Sequence, residues 1–130
     1  MPIQLWDIQN PVFEDLAFSD ADGAGPFEIT DSAPRNRVFT QLLLNTDDNV
    51  DHLITLWFGG STAATRLGSA TLPALAGRNG TPAFEVLSHC LPTNTPYLVL
   101  PPGNTLWIEL DASLSAGKVL NGAALGGILP

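Results

Sequence analysis

Short runs of hydrophobic residues, many of them alternating with polar ones, recur along the chain between clusters of Pro, Gly, Asn and Asp. Leu106, Ile108 and Leu110 occupy every second position of one such run, which is the period of a β-strand with one buried face. The 11 prolines and 12 glycines interrupt the sequence at intervals typical of a β-sandwich or barrel. The pattern therefore predicts an all-β fold, an antiparallel β-sandwich.

The segment 35–130 holds the longer strand candidates. The run 52–60 is apolar on both of its alternating faces, which is typical of a central strand. The run 118–129 contains Gly122, Gly126 and Gly127, which indicate bulges or close backbone contacts. The candidates are 37–45, 52–60, 65–73, 97–100, 105–112 and 118–129.

One segment departs from the β pattern. Asn79-Gly80 is a turn signal, and Thr81 can cap a helix whose first position is Pro82, where proline is best tolerated. Phe84 and Leu87 then share a face at helical spacing. The pattern predicts one short helix near 82–90, plugging an end of the sandwich.

The first 34 residues differ in composition from the rest. They are acidic and interrupted by prolines, and their apolar residues come in singles or pairs, with short strand candidates at 12–18 and 27–30. We predict an acidic extended N-terminal arm (1–34) and a β-sandwich domain (35–130) that folds without it. Exposure of the arm's many apolar side chains to water would be unfavourable. The arm is therefore expected to dock on a partner through Leu5, Trp6, Ile8, Val12 and Phe13.

The charges are few and uneven. The chain has 13 acidic and 5 basic residues, a net charge of -8, and ten of the acids lie at or before Asp51. Such a chain is repelled by phosphate backbones, so a nucleic-acid partner is not expected. Charged residues make up 14% of the sequence, against a typical ~25%. This shortage predicts that some apolar surface faces another subunit, and hence an oligomer.

The single cysteine and the lengths of the apolar runs indicate the cellular compartment in which the chain is expected. Cys90 cannot form an internal disulfide, and a buried structural role is expected for it. The start of the sequence has no basic segment followed by a long apolar run, and no stretch approaches a membrane helix. We expect no membrane partner, and synthesis and assembly in a cytoplasm.

An acidic segment at 20–31 is the best candidate for a metal site. Asp20, Asp22, Glu28 and Asp31 fall at calcium-ligand positions of an EF-hand-like loop, and Gly25 falls at its glycine position. Ala24 replaces one ligand, and the final acid is Asp in place of the usual bidentate Glu. We expect a solvated acidic turn without a metal, with weak calcium binding at these four acids as the open alternative.

Candidate catalytic residues are sparse. His52 lies near Asp47, Asp48 and Asp51 in sequence, but Ser61 and Thr62 do not occupy a G-x-S-x-G turn. His89 beside Cys90 lacks the further ligands of a zinc site. We therefore expect structural roles for both histidines, no cofactor and no enzymatic activity. Trp6, Trp57 and Trp107 are candidates for sugar stacking, although packing in a core or an interface is the commoner role.

Two segments, LPALAGRNGTPAFEVL (72–87) and LVLPPGNTLWIELDASLSAGKVLNGAALGG (98–127), resemble small β-sandwich proteins encoded among phage virion genes. The resemblance covers roughly residues 50–127 and lies in turns and strands. It implies a jelly-roll-like fold, often trimeric, without catalytic residues.

The resemblance leads us to expect a structural virion protein on the capsid exterior. Its role would be that of a head-decoration (cement) protein that binds the major capsid protein lattice and itself, as a homotrimer. The alternative is a carbohydrate-binding or tail-fibre/baseplate binding module. An exposed aromatic platform would favour the alternative, whereas burial of Trp57 and Trp107 in a core or subunit contact would favour decoration.

Overall fold

A computed structural model of the protein describes residues 9–29, 36–92, 95 and 97–128. Within these ranges the structure contains nine β-strands and one short α-helix. The strands are β1 (Gln9–Ser19), β2 (Phe27–Glu28), β3 (Arg37–Thr46), β4 (His52–Gly59), β5 (Thr65–Leu72), β6 (Phe84–Glu85), β7 (Leu98–Leu100), β8 (Thr105–Leu110) and β9 (Val119–Ile128). The α-helix is α1 (Leu87–Cys90), and a 3₁₀ turn covers Asp20–Asp22.

The strands form two antiparallel sheets. The five-stranded sheet has the order β1-β9-β3-β6, with β7 also paired to β3, and the four-stranded sheet has the order β2-β8-β4-β5. The pairs nest from the chain ends inward: β1 with β9, β2 with β8, β3 with β6 and β7, and β4 with β5. This double-sheet arrangement of nested strands is a jelly roll. The prediction of an antiparallel, jelly-roll-like β-sandwich is confirmed.

The core lies between the inner faces of the two sheets. Ile54, Leu56 and Ile108 are fully buried on the inner face of the four-stranded sheet, and for Ile108 the alternation along its strand predicts this burial. Leu44 and Leu120 are equally buried on the facing side. Burial of each such side chain stabilises the fold by roughly 1.5–3 kcal/mol.

Gly126 shows why the last strand is rich in glycine. A Cβ at this position would overlap the Val38 carbonyl of β3, and the pairing of β3 with β9 shifts register between Phe39 and Gln41. A Cβ at Gly122 would likewise overlap the carbonyl of Leu43. The close backbone contacts expected for this strand are present at Gly122 and Gly126, whereas the extra residue of the bulge, Thr40, lies on the paired strand β3.

The short helix expected near 82–90 is present within that range, but it is shorter than its pattern predicted. The structure confines the helix to Leu87–Cys90, and Phe84 and Glu85 instead pair with Leu44 and Leu43 of β3. The Glu85 carboxylate accepts the N–H of Leu42 at 2.8 Å, so this residue is tied to the sheet. Pairing with β3 therefore overrides the helical spacing of Phe84 and Leu87. Within the described ranges, no helix is long and apolar enough to cross a membrane.

Residues 9–29 differ from the expected arm. β1 pairs with β9 as far as Ser19, and Leu16 and Ile29 are 4% and 5% exposed in the core. Phe18 and Phe27 stack with their ring centroids 4.2 Å apart, which links the two strands. These residues belong to the sandwich because β1 and β2 pair in its two sheets, and Phe18 and Phe27 also pack against the core. The proposed boundary between residues 34 and 35 lies in a range that the structure does not describe.

Candidate functional site

The turn between β3 and β4 contains several carboxylates that form hydrogen bonds with other parts of the described chain. Asp47 accepts the backbone N–H of Val119 at 2.8 Å, and Asp51 accepts that of Ala74 at 2.8 Å. Each carboxylate thus binds a different loop. The acidic run that follows β3 fastens the turn to its neighbours.

Asp48 is the most buried member of this acidic run. It is 0% exposed, and its carboxylate accepts hydrogen bonds from the N–H of Ser115 at 2.9 Å and the hydroxyl of Ser115 at 2.8 Å. Burial alone would raise the pKa of Asp48. The hydrogen bonds from Ser115 and His52, together with the charge of His52, outweigh burial and lower the pKa to about 2. Asp48 is therefore a buried anion held by several donors.

His52 lies between two carboxylates. Its Nε2 is 2.9 Å from Oδ2 of Asp48, and its Nδ1 is 3.2 Å from Oδ1 of Asp111. The imidazole is buried, whereas Asp111 is exposed. A neutral imidazole donates to one of these carboxylates, and an imidazolium donates to both. His52 thus bridges the interior and the surface at this end of the sandwich.

The Asp48–His52–Ser115 group does not have the geometry of a catalytic triad. The hydroxyl of Ser115 donates to Asp48, so the carboxylate separates it from the imidazole that would have to accept its proton. Ser61 and Thr62 follow the far end of β4, roughly 23 Å from His52 along the strand. The structure therefore does not bring these candidate nucleophiles to the histidine.

The candidate calcium loop is shaped by local hydrogen bonds. Asp22 Oδ2 accepts the N–H of Ser19 at 2.7 Å and caps the 3₁₀ turn, and Glu28 lies in β2. Asp31 lies outside the described residues. Among the residues that the structure does describe, no group of three or more His, Cys, Asp or Glu side chains could hold a metal ion.

The second histidine and the cysteine lie on α1. Cys90 is buried, and burial together with the negative charge of Glu85 raises the pKa of its thiol to about 11. The thiol is therefore protonated and a poor nucleophile at neutral pH. His89 stacks on Phe84 with ring centroids 4.5 Å apart, and its Nδ1 is 2.7 Å from the carbonyl oxygen of Glu85. Both residues pack the helix against the sheets.

Two tryptophans meet on the outer face of the four-stranded sheet. Trp57 of β4 and Trp107 of β8 are directly opposed in register. Both are partly exposed and lie on the face opposite the buried Leu56 and Ile108. The same register row continues to Glu28 on β2 and to Arg66 on β5. We call these four residues the indole row.

The orientation of Trp57 is set by a neighbouring carboxylate. Its Nε1 donates to Oε1 of Glu109 at 3.3 Å, a diagonal contact to the next outward position of β8. Within the described chain, Nε1 of Trp107 is inaccessible to solvent and has no hydrogen-bond acceptor. Alternation in the sequence places Trp107 on the outward face of its strand, whereas both faces of the run that holds Trp57 are apolar. The pairing register that brings the two indoles side by side is not encoded locally.

The expected partner-binding residues lie at or before the start of β1. Leu5, Trp6 and Ile8 are outside the described residues. Val12 and Phe13 are in β1, where their backbones pair with Gly126 and Leu125, and the structure describes nothing of their side chains. Their role in docking stays a prediction.

Neither the family models nor the curated proteins with which the sequence was compared give a match.

Proposed function

We propose that the chain is a structural virion protein, a phage capsid decoration protein. It binds the major capsid protein lattice on the outside of the head as a homotrimer. The observation that supports this proposal best is the position of β1, which forms one edge of the five-stranded sheet and is directly preceded by the apolar segment of the N-terminus.

An edge strand is a natural docking site. Within the described chain β1 pairs with β9 on one side, so the backbone groups of its other side are available to another strand. Leu5, Trp6 and Ile8 precede β1 in the sequence, and we propose that they serve as its apolar anchors. Main-chain hydrogen bonds combined with apolar side chains are how extended segments add to a sheet edge. This combination suits attachment to a neighbouring copy or to the capsid shell.

The polar groups of the sandwich suit a structural role. Asp48, His52 and Ser115 bind one another and the backbone, and the thiol of Cys90 is buried. Jelly rolls recur in viral capsid proteins and also in lectins and cupins, so the fold supports the proposal only by analogy.

The proposal is tested with the full chain. Replacing the anchors by Trp6→Ala with Ile8→Asp should reduce co-sedimentation with empty capsids of the encoding virus, and should shift the mass measured by light scattering from trimer to a smaller species. Val50→Ser is the control, since Val50 is 48% exposed in the turn before β4, away from the β1 edge. Unchanged binding and mass in the double variant would contradict the role of this segment.

A second candidate function is the carbohydrate-binding module. The partly exposed pair of Trp57 and Trp107, with Glu109 beside it, is the observation that favours it. An indole face attracts the C–H face of a sugar, and a carboxylate accepts hydroxyl protons. Titration with neutral oligosaccharides, followed by tryptophan fluorescence, tests this function. No change in emission up to millimolar sugar would exclude it.

A further inference from the structure

The indole row has opposite charges at its two ends. It runs Glu28, Trp107, Trp57, Arg66 across β2, β8, β4 and β5, with each neighbour in direct register. At a strand spacing of about 4.8 Å, the row is roughly 14 Å long. Glu28 and Arg66 are exposed, and the guanidinium of Arg66 is held on the outer face by a 3.0 Å hydrogen bond to the Ser69 hydroxyl.

This order makes the outer face complementary to itself. A twofold axis parallel to the strands, between β8 and β4, would lay the row of one copy over the reversed row of another. Glu28 of each copy would then face Arg66 of the other, and Trp107 would face Trp57. The interface centre would be apolar and its rim would hold two opposite-charge pairs, which is the usual anatomy of a specific contact.

The neighbouring register row obeys the same symmetry. Glu109 of β8 is paired with Thr55 of β4. The twofold axis would place the carboxylate of Glu109 opposite the Thr55 hydroxyl of the second copy, which can donate to it. No like charges are superimposed in either row. Two twisted sheets can pack in this way, face to face and about 10 Å apart.

We infer that the outer face of the four-stranded sheet is a twofold self-association surface, occupied by a second copy of this chain through the indole row. The chain has few charges, 14% of its residues, which fits a face that is covered in the assembly. Leu53, 46% exposed on the same face, adds to the apolar area.

A sugar or a nucleic acid fits this face less well. Small-ligand sites are concave, whereas the indole row lies across the outside of a sheet. Phosphates would be repelled by Glu28 and Glu109, which flank the indoles. Neither ligand makes use of the opposite charges at the two ends of the row, but a second copy does.

The size of the face sets the strength of the contact. The eight residues of β4 span roughly 23 Å and the four strands span roughly 14 Å between the outer two, so the interface is at the small end of specific contacts. We therefore expect a dissociation constant in the micromolar range, and the mass should be measured from about 10 to 500 μM by sedimentation equilibrium. Copies held close together on a surface would associate more strongly through avidity.

Charge reversal provides the test. Glu28→Arg and Arg66→Glu should each halve the mass of the full-length protein at these concentrations, because each places like charges at both rims. An equimolar mixture of the two variants should regain the wild-type mass, since every rim contact between unlike variants is again an opposite-charge pair. The two positions are roughly 14 Å apart within one chain, so the rescue can arise only between copies.

The controls separate this surface from the others. Both substituted residues are exposed, and circular dichroism of each variant should match the wild type. Arg78→Glu, a charge reversal at an exposed residue between β5 and β6, should leave the mass unchanged. Association through this face doubles the mass of the species that carries it, whether that species is a monomer or a trimer. A trimer contact through the N-terminal segment therefore does not hide the change in mass.

Several results would overturn the inference. A wild-type mass that never rises as the concentration increases would do so, as would single variants that associate like the wild type. A mixture that fails to regain mass would also exclude this register. Two results together would assign the indole row to a sugar instead. They are quenching of tryptophan emission by a neutral oligosaccharide and the absence of association through this face.

Discussion

Ser115 donates both its backbone N–H and its hydroxyl to the carboxylate of Asp48, at 2.9 and 2.8 Å, although 67 positions separate the two residues. Asp48 lies in the connection from β3 to β4, and Ser115 in the connection from β8 to β9. Both connections cross from one sheet to the other. The contact therefore fastens the two sheets together at this end of the sandwich.

The lowered pKa of Asp48 predicts acid sensitivity. Its pKa falls from an ordinary 3.8 to about 2 on folding, so between these values the unfolded chain binds more protons than the folded one. The stabilisation by ionised Asp48 is complete above about pH 4 and is lost as the pH falls through about 2, and it amounts to about 2 kcal/mol. Denaturant unfolding measured from pH 5 to pH 2 should show this loss.

Asp48→Asn isolates the contribution of this residue to the acid profile. The variant should be less stable at pH 7, because an amide cannot accept all the donors that surround the carboxylate. Its free energy of unfolding should then fall less steeply than that of the wild type between pH 4 and pH 2. Parallel profiles would show that other carboxylates cause the acid sensitivity.

The 3₁₀ turn predicts how the candidate calcium loop responds to substitution. Asp22→Ala should lower stability by about 1 kcal/mol, because it removes the side-chain oxygen that accepts the N–H of Ser19 and caps the turn. Asp20→Asn should have no measurable effect. Both results should be the same in calcium and in chelator, measured by thermal unfolding. A calcium-dependent rise in melting temperature that either substitution abolishes would establish a metal site.

The glycine of β5 predicts a packing defect. A Cβ on Gly68 would overlap the carbonyl oxygen of Cys90, so Gly68→Ala must displace α1 from the sheet. The expected cost is roughly 1–3 kcal/mol, as for other overpacked sites. Gly60→Ala is the control, since a Cβ there meets its nearest neighbour, the Gly103 carbonyl oxygen, at 3.7 Å. Equal stabilities of the two variants would contradict the close approach of α1.

Sequence patterns that extend over only a few residues predicted most strands and their buried faces. The alternation of Leu106, Ile108 and Leu110 identified β8 and its buried face, and Gly126 marked a close backbone contact. The jelly-roll order came from resemblance, because period-two alternation is the same for every strand order. Local pattern thus defines strands and faces but leaves their pairing open.

The features that sequence reasoning missed depend on long-range pairing. Phe84 and Leu87 have helical spacing, yet Phe84 pairs with β3. The opposition of Trp57 and Trp107 depends on the register of β4 against β8. Neither contact leaves a trace within a short window of sequence, because the partner is many residues away. The same holds for the buried Asp48, which looks like a solvated turn residue when read locally.

The position of β1 and β2 predicts that the first 34 residues are needed for folding. A fragment of residues 35–130 lacks the buried Leu16 and Ile29 and uncovers β9 and β8. Each buried side chain contributes roughly 1.5–3 kcal/mol, a large share of the 5–15 kcal/mol typical of a whole domain. The fragment should therefore lose its cooperative thermal transition, followed by far-ultraviolet circular dichroism, whereas a fragment of residues 9–130 should keep it. A cooperative transition in the shorter fragment would show that 35–130 folds alone, with β1 and β2 as an accessory layer.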